Sequence, residues 1–487
     1  MPVIRIENTA YAALAGETVL AALTRHGVVL SAPCGGRGVC GKCRVRLISG
    51  QVSGAQPNAN GFVRACGAIP QGDVVIELPR DSGTSGGETA EINVTGRIAG
   101  AAGVALDLGT TTVSAALVDL ATGEVAEVVS RLNAQRAFGA DVMSRIAAAQ
   151  GGSLAALYAA INRQTAEILG GFIQKYGLKS VETLVVAGNT TMLHLFLNVD
   201  PTPIGHAPFT PVFLGREELA GAELDLPVAR VTVLPSAGAY IGADITAGLA
   251  FLQPSLSEPA LLIDLGTNGE LAVCRRGEIL CCSTAAGPAF EGAEISCGTG
   301  GVTGAVNRVD YDGAAVGYRT IGGARAVGIC GCGLVDAVAV MLQSGAIDET
   351  GAFAGAARRF PIADGVSITE RDVRQFQLAK SAIRAGLEVL TRRAGLALAD
   401  FKRIYVAGGL GFFVRPGSAF RTGLLPEEFA GKIAACGNTS LKGAIAALTE
   451  DAFTARCEKI AIGCRVIDLT SDASFSEAFI ENMTFPA

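Results

Sequence analysis

The sequence predicts a small α+β domain at the N-terminus followed by a larger α/β body of two equivalent lobes. Three observations predict it. Four cysteines fall within the first 66 residues, a polar glycine/serine-rich stretch, DSGTSGGETA, occupies 81–90, and one strand–turn–strand–strand plan occurs twice, around Asp107 and around Asp264. At 487 residues the chain is too long for one compact core and corresponds to about three globular units.

Residues 1–80 read as a strand from Val3 to Glu7, a second short strand, a helix from Glu17 to His26 stopped by Gly27, a cysteine loop, a strand from Arg44 to Ile48 and a last strand from Val74 to Leu78. That is a mixed sheet with one helix. Cys34, Cys40 and Cys43 stand in CGGRGVCGKC, and Cys66 follows after 22 intervening residues. Four thiolates, three of them crowded into one glycine-rich loop, suit a [2Fe-2S] cluster. Gly35, Gly36, Gly38 and Gly41 allow the positive φ that turns amide N–H groups toward cluster sulfurs. Zinc is disfavoured, because Cys40 to Cys43 is the only CxxC among the four. Five residues separate the first two cysteines where plant-type spacing has four. The array therefore resembles ferredoxin-like (β-grasp) domains in general.

Residues 81–100 are expected to be a flexible linker that lets the cluster swing, leaving 101–258 and 259–487 as the two lobes. VALDLGTTTVSAALVDLATGEVAEVV carries the first copy of the repeat and PALLIDLGTNGELAVCRRGEILCCS the second. Helices follow each copy, Ala140 to Gln150 and Leu154 to Tyr176 in one, Gly333 to Leu342 and Glu370 to Arg393 in the other. Each half then has a buried strand running into glycine, at 183–189 and 403–411. Two such lobes with facing DLGT turns make a cleft.

In that cleft, Gly109, Thr110, Thr111 and Thr112, and in the second copy Gly266, Thr267, Asn268 and Gly269, offer amides and hydroxyls to phosphate oxygens. Asp107 and Asp264, at strand ends, would hold Mg2+ through water and orient an attacking water. Gly408 and Gly409, in the turn Ala407 to Gly411, would let a nucleobase and ribose lie against the backbone. Each aspartate taken alone has a turn or capping role as its plainer alternative.

The turns at 107, 264 and 407 resemble the phosphate and adenosine motifs of the sugar-kinase, heat-shock-chaperone and actin superfamily, which implies a two-lobed ribonuclease-H-like ATPase. More narrowly, GADVMSRI, AGNTTMLHLF, DLGTNGEL, STAAGPAFEG, GICGCGLVDAV, FQLAKSAIRAG and VAGGLGFF resemble the ATP-dependent reductive activators of corrinoid proteins, and the resemblance covers nearly the whole chain. It implies one-electron reduction of an inactive cob(II) corrinoid to cob(I), with a [2Fe-2S] cluster, ATP and Mg2+ as cofactors. It also implies a corrinoid protein partner of the methyltransferase-associated or methionine synthase type. A low-potential donor such as a ferredoxin, flavodoxin or reductase, and a homodimer, are implied as well. Two departures stand out: longer relatives carry an additional middle domain where only 81–100 stand here, and Cys332 replaces a usual serine. A small-molecule kinase with an attached redox domain, and a redox-sensing nucleotide-dependent binding protein, stay open as alternatives.

Composition excludes other classes. Lys and Arg number 39 against 45 Asp and Glu, with no basic tract, so nucleic-acid binding has no support. Residues 1–80 carry eight basic against four acidic residues, a basic domain on an acidic body. Mean hydropathy is high at +0.41, yet no apolar run approaches the ~20 residues of a membrane span, and the alanine-rich stretch 237–252 contains Asp244. Thirteen cysteines, an odd number, behind an N-terminus without a signal-peptide pattern predict a cytoplasmic protein.

Other residues are weighed singly. His194 reads as a core histidine, while His26 and His206 carry no pattern. Asn189, Thr190 and Thr191 read as a helix cap or a site. Lys380 reads as a solvated or cleft-edge charge. Cys330 and Cys332 could bind metal or oxidise, but read better as small buried residues, and Cys457 and Cys464 as structural. The loop Ser283 to Gly292, with Glu291, is expected to face the cleft or the partner.

Overall fold

The computed structural model describes all residues except 8, 27, 29, 31, 33–35, 37, 39, 40, 79–91, 254–257, 293 and 487, and the side chain of residue 412. Cys34, Cys40, Gly35, Gly27 and the stretch 81–91 of the expected linker therefore lie outside the described residues.

The N-terminal sheet has five strands in the order Thr9–Ala12, Val3–Ile6, Val74–Glu77, Arg44–Ser49 and Phe62–Arg64. Val3–Ile6 and Val74–Glu77 are parallel, and the other pairs are antiparallel. The helix Val19–Arg25 buries Val19, Leu20, Ala22 and Leu23, one face at helical spacing, in a core with Ile4, Val45, Val63 and Ile76. It starts two residues later than Glu17, because Thr18 caps it, its hydroxyl accepting from the Ala21 amide at 3.2 Å. Glu17 instead accepts from Leu14 N and Arg25 Nε. A helix packed on a mixed sheet is the β-grasp arrangement that the cysteine spacing suggested.

The body is built from two six-stranded sheets with one plan. In the first, Val125–Leu132, Thr112–Asp119 and Ala102–Leu108 form an antiparallel meander, and Val181–Gly188 and Val228–Val233 continue in parallel before an antiparallel edge strand, Glu217–Ala220. The second repeats it with Glu278–Thr284, Gly269–Arg275, Ala260–Leu265, Arg403–Ala407 and Ile433–Gly437, and adds Cys464–Val466 beside the first of these. Strands buried on both faces explain the apolar runs that raise the mean hydropathy. The helices Leu154–Tyr176 and Glu370–Arg393 have the expected bounds. The first ends at Gly177 in the left-handed region and the second begins at a Thr369/Asp372 capping box. No helix among the described residues is long and apolar enough to cross a membrane.

Two boundaries differ from expectation. Residues 92–100 are not a loose tether. Val94 bridges to Val125, Ile92 and Ile98 pack on the first-lobe core, and Asp119 accepts from the amides of Ala99 and Gly100. Nor is 259–487 wholly one lobe. The helices Thr439–Thr449 and Phe453–Gly463 return to the first lobe, where Leu441, Ala444, Phe453 and Cys457 join its core. The return is made close by small residues: a Cβ on Gly443 would stand 2.6 Å from Ala247 O, and one on Gly248 2.7 Å from Thr439 Oγ1.

Candidate functional site

The cluster region is described on its inner side. Arg44 pairs with Arg64, and Ala65 N donates to Cys43 O at 2.7 Å, so Cys43 and Cys66 end adjacent strands as neighbours. Cys43 is 1 % exposed in the small-domain core. Gly36, Gly38 and Gly41 adopt φ of +82°, +76° and +64°, and a Cβ on Gly36 would lie 4.0 Å from that of Cys66. The loop thus folds against Cys66 with a backbone only glycine takes readily. Cys43 of the glycine loop and Cys66 beside it fit an iron–sulfur cluster by donor type. Cys66 also borders a cavity of about 740 Å3 between the helix Val19–Arg25 and the helix Leu154–Tyr176 of the first lobe.

The second centre lies between the lobes. Asp107, Gly109, Thr110, Thr111, Thr112, Asp264, Gly266, Thr267, Asn268, Gly408 and Gly409 all line one cavity of about 120 Å3. Gly269 does not line it. It begins a strand, and a Cβ there would stand 2.8 Å from both Ile383 Cγ1 and Thr284 Oγ1, so this glycine serves packing. The AGGLG turn is likewise different, since Gly408–Phe413 forms a short helix after the strand Arg403–Ala407. Gly408 has φ +80°, and a Cβ on it would come 2.6 Å from Asp264 Oδ1.

Six further polar side chains wall the cavity, Glu291 among them. Asn438 Nδ2 and Ser440 Oγ each donate to Asp107 at 2.7 Å. Asn189 both caps the helix Thr190–Phe196, accepting from Met192 N, and donates to Thr110 Oγ1 at 2.9 Å. Asn189 and Asn438 each follow a parallel strand in the same local pattern, GNTT and GNTS, though at different places in the repeat: Asn189 follows Val181–Gly188, and Asn438 follows Ile433–Gly437. That echo was the signal that could have found Asn438. Asp244 opens the helix Ala243–Leu252, and Glu270 pairs across the hairpin with Asp264. A lone acid in an apolar helix, and the acid of DLGTNGE, were their signals.

Burial governs the protonation of this group. It pushes Asp107 up against the bonds from Ser440 and Asn438. It also pushes Asp244 up to about 7, with Asp107 adding to the shift. Glu270 is raised well above the carboxylate range by burial, then by Asp244 and Asp264. Clustered, partly desolvated carboxylates of this kind gain from a hard cation. Among the described residues no three His, Cys, Asp or Glu converge as a direct metal-binding set. Because both Asp107 oxygens already accept bonds from Asn438 and Ser440, this donor set could hold Mg2+ through water.

Glu291 bridges the two DLGT turns, accepting from Thr267 Oγ1 at 2.8 Å and from Thr111 Oγ1 at 2.5 Å. The loop that carries it faces the cleft, as expected. Burial raises its carboxyl, opposed by the two threonines, Arg136 and Arg145. Arg145 is fully buried, donates to Thr110 O and to Gly139 O, and is brought down to about 9 by desolvation. It holds the first turn from below. The cluster loop reaches the same region: Lys42 Nζ donates to Ile295 O at 3.0 Å and Gly298 O at 3.2 Å.

The remaining candidates sort differently. His194 is buried, stacked on Phe213, with Val212 N donating to Nε2, so Nδ1 carries the proton and donates to Thr190 O. Lys380 is not a surface charge. It is 1 % exposed, bonded to Thr484 O, 5.1 Å from the Phe485 ring centroid, and brought down to about 7 by burial. Cys330 and Cys332 are buried at the start of the helix Gly331–Gln343, and Cys457 in the first-lobe core. Cys464 Sγ lies 3.6 Å from Cys281 Sγ.

Three family models match the chain: a 2Fe-2S iron–sulfur cluster binding domain over 4–71, the RACo middle region over 102–254, and the C-terminal domain of RACo, the ASKHA domain, over 258–487. A region called the middle one in that family is thus present, as the first lobe. The chain is 36% identical over 416 residues to "Corrinoid activation enzyme RamQ" of Eubacterium limosum, covering 79% of this chain and 70% of that protein. It is 30% identical over 392 residues to "[Co(II) methylated amine-specific corrinoid protein] reductase" of Methanosarcina barkeri, covering 70% and 68%. Among solved structures it is similar to "Reductive activator for corrinoid,iron-sulfur protein", with TM-score 0.74 and 27% identity over 100% of this chain and 98% of that one.

Proposed function

The chain belongs to the RACo family of reductive activators of corrinoid proteins, and from that premise we propose that it uses ATP to drive one-electron reduction of a partner's cob(II) corrinoid to cob(I). The observation that carries this reading is the contact, in one chain, between the cysteine loop and the segment following Glu291 of the double-turn cleft, made by Lys42 with the carbonyls of Ile295 and Gly298. Cys34, Cys40, Cys43 and Cys66 are the proposed ligands of a [2Fe-2S] cluster, which when bound supplies electrons singly. ATP phosphates lie against Gly109 to Thr112 and Gly266 to Asn268, with Gly408 and Gly409 beside the adenosine. Asp107 and Asp264 would hold Mg2+ through water and would orient the water that attacks the γ-phosphate. Asp107 is suited to an indirect role, since both its oxygens already accept bonds.

ATP is needed on energetic grounds. A plant-type cluster sits near about −400 mV, and the cobalt centre lies lower still. Each ~59 mV uphill costs about tenfold for one electron. Only a ligand with different affinity for two states of the complex can offset this. A low-potential ferredoxin, flavodoxin or reductase would supply the electron in the cytoplasm.

The test mixes anaerobic, dithionite-reduced protein with a cob(II) corrinoid protein, with and without ATP and Mg2+, and follows the cob(I) absorption band. ATP-dependent cob(I) that disappears in Cys43→Ala and Asp264→Ala is expected. No cob(I) despite an intact cluster and bound ATP would overturn the reading in favour of a redox sensor.

A further inference from the structure

We propose that Lys42 is a positioning residue through which nucleotide binding moves the cluster domain, the message passing from Glu291 through the packed backbones of Gly292 and Gly298. This rests on the cleft being the nucleotide site. It begins with competition for space and for hydrogen bonds. With Glu291 in place the cavity measures about 120 Å3, well below the ~300 Å3 at which small-molecule pockets begin. The hydroxyls of Thr111 and Thr267, one from each lobe's turn, are the donors a phosphate between the lobes would use, and both are given to the Glu291 carboxylate. A second anion at that point meets like charge in a desolvated site. A phosphate therefore enters by displacing Glu291.

The displacement has a short path outward. Gly292 follows Glu291 with φ +79°, and its backbone is pressed against Gly298 and Thr299. A Cβ on Gly292 would stand 2.5 Å from Thr299 N, and one on Gly298 2.3 Å from Gly292 O. Backbones this close move together, since nothing compressible lies between them. Gly298 O is one of the two carbonyls that hold Lys42. Lys42 in turn is the residue before Cys43, inside the CGKC of the cluster loop. A shift of Gly298 thus loosens the docking of the cluster domain when, and because, a phosphate binds between the lobes.

Coupling of this kind is reciprocal. If a bound phosphate weakens the Lys42 contact, removing the contact strengthens phosphate binding by the same factor, though Lys42 is outside the cleft. The experiment titrates cluster-loaded protein with a non-hydrolysable ATP analogue and Mg2+ by calorimetry, and separately follows bleaching of the cluster's visible absorption by an iron chelator. Lys42→Ala is expected to bind the analogue about fivefold more tightly. Glu291→Gln, whose neutral amide does not repel phosphate, is expected to do the same. In the wild type the analogue should speed bleaching severalfold. In Lys42→Ala bleaching should be fast without analogue and unchanged by it. Equal analogue affinity in wild type and Lys42→Ala, or bleaching in the wild type that ignores bound analogue, overturns the relay while leaving the nucleotide site intact. No analogue binding by the wild type overturns both.

Discussion

Replacing Asp244 by asparagine should change how stability depends on pH, and the sign follows from the site. Asp244 lies in the first turn of the helix Ala243–Leu252, where the helix dipole favours a negative charge. Its amide bond from Ile245 also favours the anion. Burial wins, with Asp107 adding to the shift, and the carboxyl is pushed up to about 7 from 3.8. Between pH 4 and 7 the folded chain thus holds a proton that the unfolded chain has lost, so stability falls as pH rises through that window. A shift of this size corresponds to at most ~4 kcal/mol, and water reaching a half-buried carboxylate reduces it to about 2 kcal/mol. At ~2–4 °C per kcal/mol for a unit of this size, Asp244→Asn should melt about 4–8 °C above the wild type at pH 8 and level with it at pH 4. Circular dichroism melts in metal-free buffer measure this. Mg2+ should narrow the gap at pH 8 by stabilising the wild type alone. Parallel melting curves for the two proteins from pH 4 to 8 would refute the reasoning.

Three further outcomes are expected. Arg145→Met should leave the Thr110 and Gly139 carbonyls unpaired, cost about 1–3 kcal/mol in denaturant unfolding, and weaken nucleotide binding through the first turn. Gly408→Ala forces a side chain into positive φ and toward Asp264 Oδ1. It should cost about 1–3 kcal/mol and reduce ATP affinity by at least about tenfold, both readable by calorimetry. Lys380, neutral above about 7 when folded and charged to about 10 when unfolded, lowers stability as pH falls from 10 to 7. Lys380→Met should therefore gain on the wild type over that range in thermal melts, and a constant difference would count against it.

The parts of the site that one contiguous segment carries were readable from sequence. DLGTTT and DLGTNG each contain their own strand end, glycine and hydroxyl, so Asp107 and Asp264 fall in one cleft once the repeat is seen. The long helices were readable because Gly177 and Thr369 end and begin them by local rules. What was hidden depends on distant segments meeting. Asn438 and Ser440 reach Asp107 only because their helix crosses back to the first lobe. Gly269 reads in sequence like its neighbours in the DLGTNG turn until Ile383 is packed against it. Lys380 has the spacing of a surface residue and is buried by the chain's last residues, Thr484 and Phe485. The end of the linker is ordered because Asp119, itself in a strand, gathers its amides.

The returning helices Thr439–Thr449 and Phe453–Gly463 also set an order of events during synthesis. A nascent chain that has reached residue 258 has made every strand of the first sheet. It lacks Leu441, Ala444, Ala446 and Phe453, which close the first-lobe core. That core stays open to water until some 200 further residues have left the ribosome, roughly 10–40 s at ordinary elongation rates. Over that interval the first lobe depends on the second for completion, and a fragment cut at the apparent boundary near 258 would keep an apolar face bare.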